Sequence, residues 1–308
     1  MLGENAPYTR KSSCTILAAL NIELLFGFTT FMKADLHCHS YFSDGKHSPN
    51  FLLNRAEANK ISHLAITDHD FVINPRDIAT RESEVHLING VEISCEWQNR
   101  EIHVVGIGID PENPILKTML LRQRASREVR VEKIHRLLLK AGIDGLMNYL
   151  KSQHCISVTR SHVADFLVLS GTTKNRKLAF NRFIGKGGCA FVPATWVSIE
   201  EANYAIATSG GISVLAHPSR YKLSKHQLNA LVDAFKKTGG AALEVSYANI
   251  HPNVKQMLER TALKNKLFVS AGSDFHDAEA FWTDIGKFPE ISRPAQEHAV
   301  WQHPKWCF

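Results

Sequence analysis

The stretch Lys33-Ala-Asp-Leu-His37-Cys-His39 decides the fold, because it joins a short apolar strand to two histidines. Similar strand-like runs recur along the chain, at residues 33–37, 63–67, 87–92, 102–109, 211–216, 242–246 and 267–271. Helical patterns lie between them, at residues 49–59, 198–207, 225–238 and 253–265. This alternation predicts an α/β fold of parallel units, arranged as a barrel or as a doubly wound sheet.

The composition is that of a folded globular protein. Of 308 residues, 44% are hydrophobic and 21% charged, which is unlike a disordered chain. No apolar run reaches the roughly 18 residues of a membrane-spanning helix, so we expect no membrane partner. The 36 Lys and Arg against 30 Asp and Glu give a net charge of +6, which mildly favours anionic partners. Six cysteines without Cys-x-x-Cys spacing predict reduced thiols and a cytoplasmic location.

Two segments interrupt the strand–helix rhythm. Residues 1–31 precede Met32, which resembles a natural start; we interpret them as a leader of doubtful relevance, with a secretory signal or an accessory helix as alternatives. Residues 113–195 contain a long amphipathic pattern at 116–141 and are interpreted as an inserted, mainly helical substrate-binding subdomain. The barrel then comprises residues 32–112 and 196–308.

Histidines and carboxylates stand at the ends of the predicted strands or close to them. The set is His37, His39, Asp44, His69, Glu92, His103, His217, Asp274 and His276. Each has an ordinary explanation alone: 16 histidines give roughly 0.8 His-x-His pairs by chance, and Asp44 beside Gly45 suits a turn. Together they would crowd nine ionisable groups at one rim of a barrel, at a high cost without a cation.

The residue types of this set indicate the kind of metal. Imidazole nitrogens with carboxylate oxygens are typical ligands of Zn²⁺, Mn²⁺ or Fe²⁺ rather than Ca²⁺. Six histidines and three carboxylates exceed the needs of one ion, so we expect two or three ions that share a bridging carboxylate. Clustered divalent ions polarise a phosphoryl group and activate water. The sequence therefore predicts hydrolysis of a phosphoester.

These motifs resemble the polymerase and histidinol phosphatase (PHP) family of metal-dependent phosphoesterases over about residues 32–280. The resemblance implies a distorted (β/α)₇ barrel in which a metal-bridging hydroxide attacks phosphorus, with manganese expected first and iron or zinc as alternatives. It also implies one ion on His37, His39, Glu92 and Asp274, a second on Glu92, His103 and His217, and a third on Asp44, His69 and His276. Asp68, in Thr67-Asp68-His69, is expected to lie behind the ligands.

Within the family, the layout is most similar to the 3′,5′-nucleoside bisphosphate phosphatases, also described as the 5′-to-3′ exoribonuclease RNase AM. This similarity implies substrate or phosphate contacts from Arg127, Arg130, Arg160, His162, Lys186, Arg220 and Tyr221. Guanidinium groups suit phosphates, and an aromatic face can stack on a base. A solvated helix face is the alternative explanation for the arginines of the long helix.

The resemblance implies small nucleotides or short 5′-phosphorylated RNA as substrates, without an obligate protein partner. Two other functions stay open. One is a phosphatase of the histidinol-phosphate type, which would use the same metal centre on a different substrate. The other is a non-catalytic module in which the metal is structural and the basic insertion binds RNA.

Overall fold

The computed structural model describes residues 32–74, 78 and 83–308, so the predicted leader lies outside the described residues. Residues Lys33–Phe308 belong to one compact unit. The strands are β1 (Ala34–Cys38), β2 (His63–Ile66), β3 (His86–Trp97), β4 (Arg100–Ile107), β5 (Val197–Ser198), β6 (Ile212–Leu215), β7 (Ala242–Ser246) and β8 (Phe268–Ala271).

The strands form a sheet that curves into a nearly closed barrel. Its order is β1-β2-β3-β4-β6-β7-β8, and β5 pairs with β3. The chain after β8 returns to β1, where Phe275 forms a bridge with Cys38 and the Asp274 N–H donates to the His37 carbonyl at 2.8 Å. The predicted α/β barrel is confirmed, and its closure places the segment after β8 beside the histidines of β1.

One strand departs from the parallel arrangement that the alternation predicts. β4 runs antiparallel to both of its neighbours, β3 and β6. A two-residue turn joins β3 to β4, and its residues Gln98 and Asn99 have φ angles of 48° and 57°. Left-handed backbone at both positions is typical of a type I′ hairpin turn, but the usual Asn-Gly signal is missing. Because β4 is reversed, its beginning lies at the rim, and this brings His103 to the site.

Helices pack around the sheet. They are α1 (Pro49–Ala58), α2 (Pro114–Lys140), α3 (Leu146–Lys151), α4 (Arg160–Leu169), α5 (Arg176–Ala179), a π-helix (Phe180–Ile184), α6 (Ile199–Thr208), α7 (Lys225–Lys237), α8 (Pro252–Lys264) and α9 (Arg293–Gln296). Ser198 and Ser224 begin α6 and α7 with capping boxes, as their Ser-x-x-Glu and Ser-x-x-Gln sequences predict. In the described part of the chain, no helix has the length and apolar character to span a membrane.

Helix α2 connects two hydrophobic cores. Its 27 residues extend over about 40 Å. Leu116 and Leu120 near its start pack in the barrel core, whereas Ile134 and Leu138 near its end pack in a cluster confined to residues 131–192. A segment with its own core is typical of a subdomain. The boundaries at 113 and 195, and the substrate-binding role of this segment, stay predictions.

Candidate metal centre

Glu92 of β3 lies at the centre of the predicted ligands and is 1% exposed. Its carboxylate contacts the imidazoles of His37, His39, His69, His103 and His217. Nε2 of His217 and Nδ1 of His103 lie 2.9 Å from Oε1, and Nδ1 of His69 lies 3.0 Å from Oε2. A carboxylate whose two oxygens face different imidazoles is suited to bridge two cations.

Two aspartates extend the cluster on either side of Glu92. Oδ1 of Asp274 lies 3.3 Å from Nε2 of His39. Oδ1 of Asp44 lies 3.5 Å from Nε2 of His69 and 3.4 Å from Nε2 of His276. The barrel thus brings together all nine residues that the sequence indicates as ligands.

Three subsets of these residues have ligand atoms that all lie within 4.8 Å of one another. The subsets are His39, Asp44, His69 and His276; His37, His39 and Glu92; and His69, Glu92 and His103. The family resemblance assigns His39 and His69 to one ion each, whereas each belongs to two of these subsets. The distribution of the ligands among the ions therefore stays a prediction.

The backbone turns sharply at two of the predicted ligands. His217 has a φ of 26° and Asp274 a φ of 49°, in the left-handed region that residues other than glycine rarely adopt. Glu244 holds the first turn by accepting from the His217 N–H at 2.6 Å. Strain of this kind persists where it directs a functional side chain.

Buried acids stand behind the ligands, and Asp68 is the predicted one. Its carboxylate accepts from the Ser40 N–H at 2.9 Å and from the Ser43 hydroxyl at 2.5 Å. The Ser43 hydroxyl lies 3.4 Å from Nδ1 of His39. Burial raises the pKa of Asp68, and the hydrogen bonds from Ser40 and Ser43 oppose the rise. Asp68 thus orients His39 through Ser43.

Glu244 of β7 was not among the predicted residues, although it is 2% exposed and close to the centre. Its Oε1 lies 3.0 Å from Nδ1 of His37, which leaves Nε2 of His37 directed towards Glu92. Burial raises the pKa of Glu244, but His37 and His217 together outweigh burial and lower it. A single glutamate inside the apolar strand Ala242-Leu-Glu-Val-Ser246 is the sequence signal that could have identified it.

Electrostatics divide the imidazoles into two groups. Burial opposes the charged form of each, but neighbouring carboxylates outweigh it at His37 and His103 and raise both pKa values to about 10. Burial prevails at His39 and His217, whose pKa values fall to about 3 and about 4. For Glu92, burial is outweighed by the surrounding imidazoles, which hold its pKa well below the usual value.

The donor set fits divalent cations. Within the described chain, buried Asp44 Oδ1, His69 Nδ1 and Glu92 Oε2 have no hydrogen-bond partner. The last two lie 3.0 Å apart but are not aligned as a hydrogen bond. Each unpaired buried polar atom costs about 1–3 kcal/mol. Divalent ions would coordinate these atoms and supply the positive charge that protonated His37 and His103 otherwise provide.

Arg127 of α2, a predicted phosphate contact, is buried and engaged with neighbouring side chains. It is 5% exposed, and its Nε donates to Oδ2 of Asp70 at 2.8 Å. Its Nη2 donates to the Ser94 hydroxyl at 2.7 Å, and the guanidinium lies 4.7 Å from the centre of the Trp196 ring. Arg127 therefore ties α2 to the barrel rather than presenting an unengaged guanidinium to substrate.

Arg130 and Arg160 share the carboxylate of Glu101. Nη2 of Arg160 lies 3.2 Å from Oε2 of Glu101, and Nη1 of Arg130 lies 3.5 Å from it. Nε2 of His103 lies 3.6 Å from Oε1 of the same carboxylate. Burial raises the pKa of Glu101, but His103, Arg160 and Arg130 together outweigh burial and lower the pKa well below its usual value. Two arginines against one carboxylate leave excess positive charge near His103.

Three other predicted substrate residues occupy varied positions. His162 accepts from the Thr159 N–H at 3.0 Å and so caps α4. The Tyr221 hydroxyl accepts from the His103 N–H at 2.9 Å and donates to the main chain just after β6. Tyr221 thus connects β4, which carries His103, to the segment between β6 and His217. Lys186 is exposed in the turn after the π-helix.

A cleft of about 830 Å³ opens beside the cluster, and Asp274 and His276 form part of its wall. Arg220, another predicted substrate residue, lines this cleft. Its guanidinium contacts the carboxylate of Asp274 and lies 5.1 Å from the centre of the Tyr247 ring. Of the predicted substrate residues, Arg220 is the one that both contacts a ligand and faces the cleft.

A basic pair that no sequence motif marks lies on the insertion side of this cleft. Arg176 lines the cleft and donates from Nη2 to Oδ2 of Asp165 at 2.7 Å. Lys46 donates to the same carboxylate, and its N–H donates to the His276 carbonyl at 2.7 Å. Arg176 and Lys46 thus share the carboxylate of Asp165, and Arg176 also interacts electrostatically with Asp44 and Asp277.

Known proteins match most of this chain, including segments that carry clustered histidines and carboxylates. The PHP domain family matches residues 35–247. A 5′-3′ exoribonuclease of Haemophilus influenzae is 40% identical over 257 residues, which cover 83% of this chain and 93% of the relative. A 3′,5′-nucleoside bisphosphate phosphatase of Chromobacterium violaceum is 34% identical over 269 residues, covering 84% and 94%.

The fold also matches a solved structure from Chromobacterium violaceum, described as an amidohydrolase with bound sulfate and no metal. The TM-score is 0.80 at 31% identity, and the match covers 88% of this chain and 95% of that one. The matched region includes β1, β3 and β7, on which clustered histidines and carboxylates converge. The chain is therefore a member of the PHP domain family.

Proposed function

We propose that this chain is a metal-dependent phosphoesterase that hydrolyses the phosphoester on O3′ of a 5′-phosphorylated nucleoside. Its substrates would be nucleoside 3′,5′-bisphosphates, short 5′-phosphorylated RNA, or both. The observation that carries the proposal is the convergence of histidines and carboxylates around Glu92. The names of the Haemophilus and Chromobacterium relatives support the substrate class, since each describes cleavage of a phosphoester on a nucleotide.

The metal would be two or three divalent ions, with Mn²⁺ expected before Fe²⁺ or Zn²⁺, held by the nine clustered ligands. Once bound, such ions neutralise charge on the phosphoryl oxygens and lower the pKa of a water molecule. The residues of the chain do the positioning. Glu244 and Asp68 hold His37 and His39 in place, and Arg220 brings a guanidinium to the cleft wall beside Asp274.

The 5′-phosphate would be anchored by Arg176, which lines the same cleft as His276, with Lys46 beside it on the shared carboxylate of Asp165. Arg176→Ala should lower kcat/KM for adenosine 3′,5′-bisphosphate by about 10- to 100-fold, the range for loss of a charged hydrogen bond. For adenosine 3′-monophosphate, which lacks the 5′-phosphate, kcat/KM should fall much less. Arg182→Ala removes an exposed arginine of the same segment and serves as the control. Equal losses on both substrates would contradict this anchor.

The whole proposal is tested by phosphate release from adenosine 3′,5′-bisphosphate with Mn²⁺-loaded protein, beside an Asp274→Asn control. Histidinol phosphate and a short 5′-phosphorylated RNA are measured in parallel. Metal-dependent release of the 3′-phosphate that the control lacks is the expected result. If only histidinol phosphate is turned over, the substrate is histidinol phosphate and not a nucleotide. If RNA binds but no substrate is turned over, the protein is a binding module.

We also place the enzyme in the cytoplasm and expect it to act without an obligate protein partner. The five cysteines of the described residues are all free thiols, and two of them, Cys38 and Cys95, are buried. Free thiols in a chain of this size are typical of a reducing compartment. Size-exclusion chromatography with light scattering, at the concentration used for turnover, would detect an oligomer on which activity depends.

A further inference from the structure

Two adjacent aromatic side chains are exposed on the loop that follows the ligands of β8. Phe281 is 84% exposed and Trp282 is 51% exposed. Their ring centres lie 5.1 Å apart in an edge-to-face arrangement. Large aromatic side chains are usually buried to a high degree, so an exposed pair held together suggests a surface that binds something flat.

Trp282 lines the same cleft as the ligands Asp274 and His276. The volume of about 830 Å³ lies in the upper part of the range of about 300–1,000 Å³ that accommodates one small-molecule ligand. Arg176 also lines this cleft. A substrate with its 5′-phosphate at Arg176 and its reacting phosphorus beside Asp274 leaves Trp282 for whatever is attached beyond the phosphorus.

Hydrogen bonds connect the loop that carries Phe281 and Trp282 to the segment around Ser273 and to His47. The Thr283 hydroxyl donates to the Ser273 carbonyl at 3.4 Å, and Nε2 of His47 accepts from the Ala278 N–H at 2.9 Å. Lys287 donates from Nζ to the Phe281 carbonyl at 2.8 Å. These bonds hold the position of the rings relative to the metal centre, which lowers the entropy cost of binding against them.

Charge in this part of the cleft does not favour a second phosphate. Arg220 is positive but contacts Asp274, and the acidic Asp277 and Glu279 line the same cleft. Stacking is the recognition mode that remains, because every nucleobase presents a π-face. Stacking on an aromatic side chain therefore tolerates any base sequence.

The two candidate substrate classes differ in what the reacting phosphorus carries. In a nucleoside 3′,5′-bisphosphate it carries no further group, whereas in RNA it carries the O5′ of the next nucleotide. Resting on the proposed function, we propose that Trp282, supported by Phe281, stacks on the base of the nucleotide after the scissile phosphate. This platform would make the enzyme prefer oligonucleotides to mononucleotide bisphosphates.

The test compares kcat/KM for the dinucleotide pApA with kcat/KM for adenosine 3′,5′-bisphosphate. In Trp282→Ala, the ratio of the two should fall by about 5- to 150-fold, the range measured for base–aromatic stacking. Trp282→Phe, which keeps an aromatic face, should restore most of the ratio. A pApA analogue with an abasic second nucleotide should already lack this advantage in the native enzyme, so Trp282→Ala should add little further loss with it.

The control is Tyr204→Ala, which removes an aromatic side chain that is 60% exposed on α6 and should leave the ratio unchanged. A ratio that does not move in Trp282→Ala would overturn the stacking platform. A change of oligomeric state on size-exclusion chromatography, with an unchanged ratio, would make the pair a contact between copies instead. Absence of turnover on every substrate by the native enzyme would instead refute the proposed function, so the two failures are distinguishable.

Discussion

The ligand cluster around Glu92 and the middle of α2 both bury charge, but they balance it in different ways. Around Glu92, buried acceptor atoms such as Asp44 Oδ1 have no hydrogen-bond partner among the described residues. In α2, Arg127 is matched by Asp70, whose other oxygen accepts from the Ser94 N–H at 3.1 Å. The difference teaches that unpaired buried acceptors among several carboxylates and imidazoles mark a candidate place for an ion, whereas the paired charges of Arg127 and Asp70 mark a structural joint.

The largest effect should come from Glu92→Gln, which removes the charge that the imidazoles surround. Because Glu92 contacts five of them directly, metal affinity and phosphoesterase activity should each fall by more than the roughly 10- to 100-fold typical of an outer partner. Metal content after dialysis and phosphate release measure the two losses. Full metal content with full activity would show that the cluster balances its charge internally, as the Arg127–Asp70 pair does.

A large loss of stability should follow Arg127→Ala, because it leaves the buried carboxylate of Asp70 without its cation. Breaking a buried ion pair in this way costs about 3–5 kcal/mol, which urea unfolding would measure. The double variant with Asp70→Asn should recover part of the loss. Native stability combined with a raised KM for 5′-phosphorylated substrates would instead make Arg127 a substrate ligand.

An intermediate effect should follow Glu244→Gln, which keeps the shape of the side chain but not its charge. The variant weakens the hold on Nδ1 of His37 and on the His217 N–H. Metal affinity should fall by about 10- to 100-fold, as measured by competition with a chelating dye. The free energy of unfolding of the metal-free protein is measured as well. If it falls while the metal affinity stays native, Glu244 serves packing only.

The smallest effect should come from Arg122→Ala, on the same helix as Arg127. Arg122 contacts Glu201 at 2.8 Å, but the two side chains are 61% and 52% exposed. Exposed ion pairs contribute about 0–1 kcal/mol, so urea unfolding and kcat/KM should both stay close to native. A loss of stability as large as that of Arg127→Ala would mean that the exposure of an arginine does not determine its contribution to stability.

The convergence of the nine candidate ligands could be predicted from sequence because they stand beside short strands, and the topology of a barrel brings strand ends together. The contact of Arg127 with Asp70 could not, because the two residues are 57 positions apart and no pattern links them. Glu244 carries only the weak signal of one acid in an apolar strand. The reversal of β4 escaped prediction because Gln98-Asn99 is an unusual sequence for a tight hairpin turn.

That hairpin also sets an order of assembly. Glu92 and His103 are 11 positions apart along the chain, whereas His217 is 125 positions from Glu92. A hairpin forms in about 1–10 μs, and contacts between distant segments form more slowly because long loops must close first. The earliest pair of facing ligands would therefore arise locally during folding. The remaining candidate ligands would join it only as the barrel closes, so the complete set forms at the end of folding.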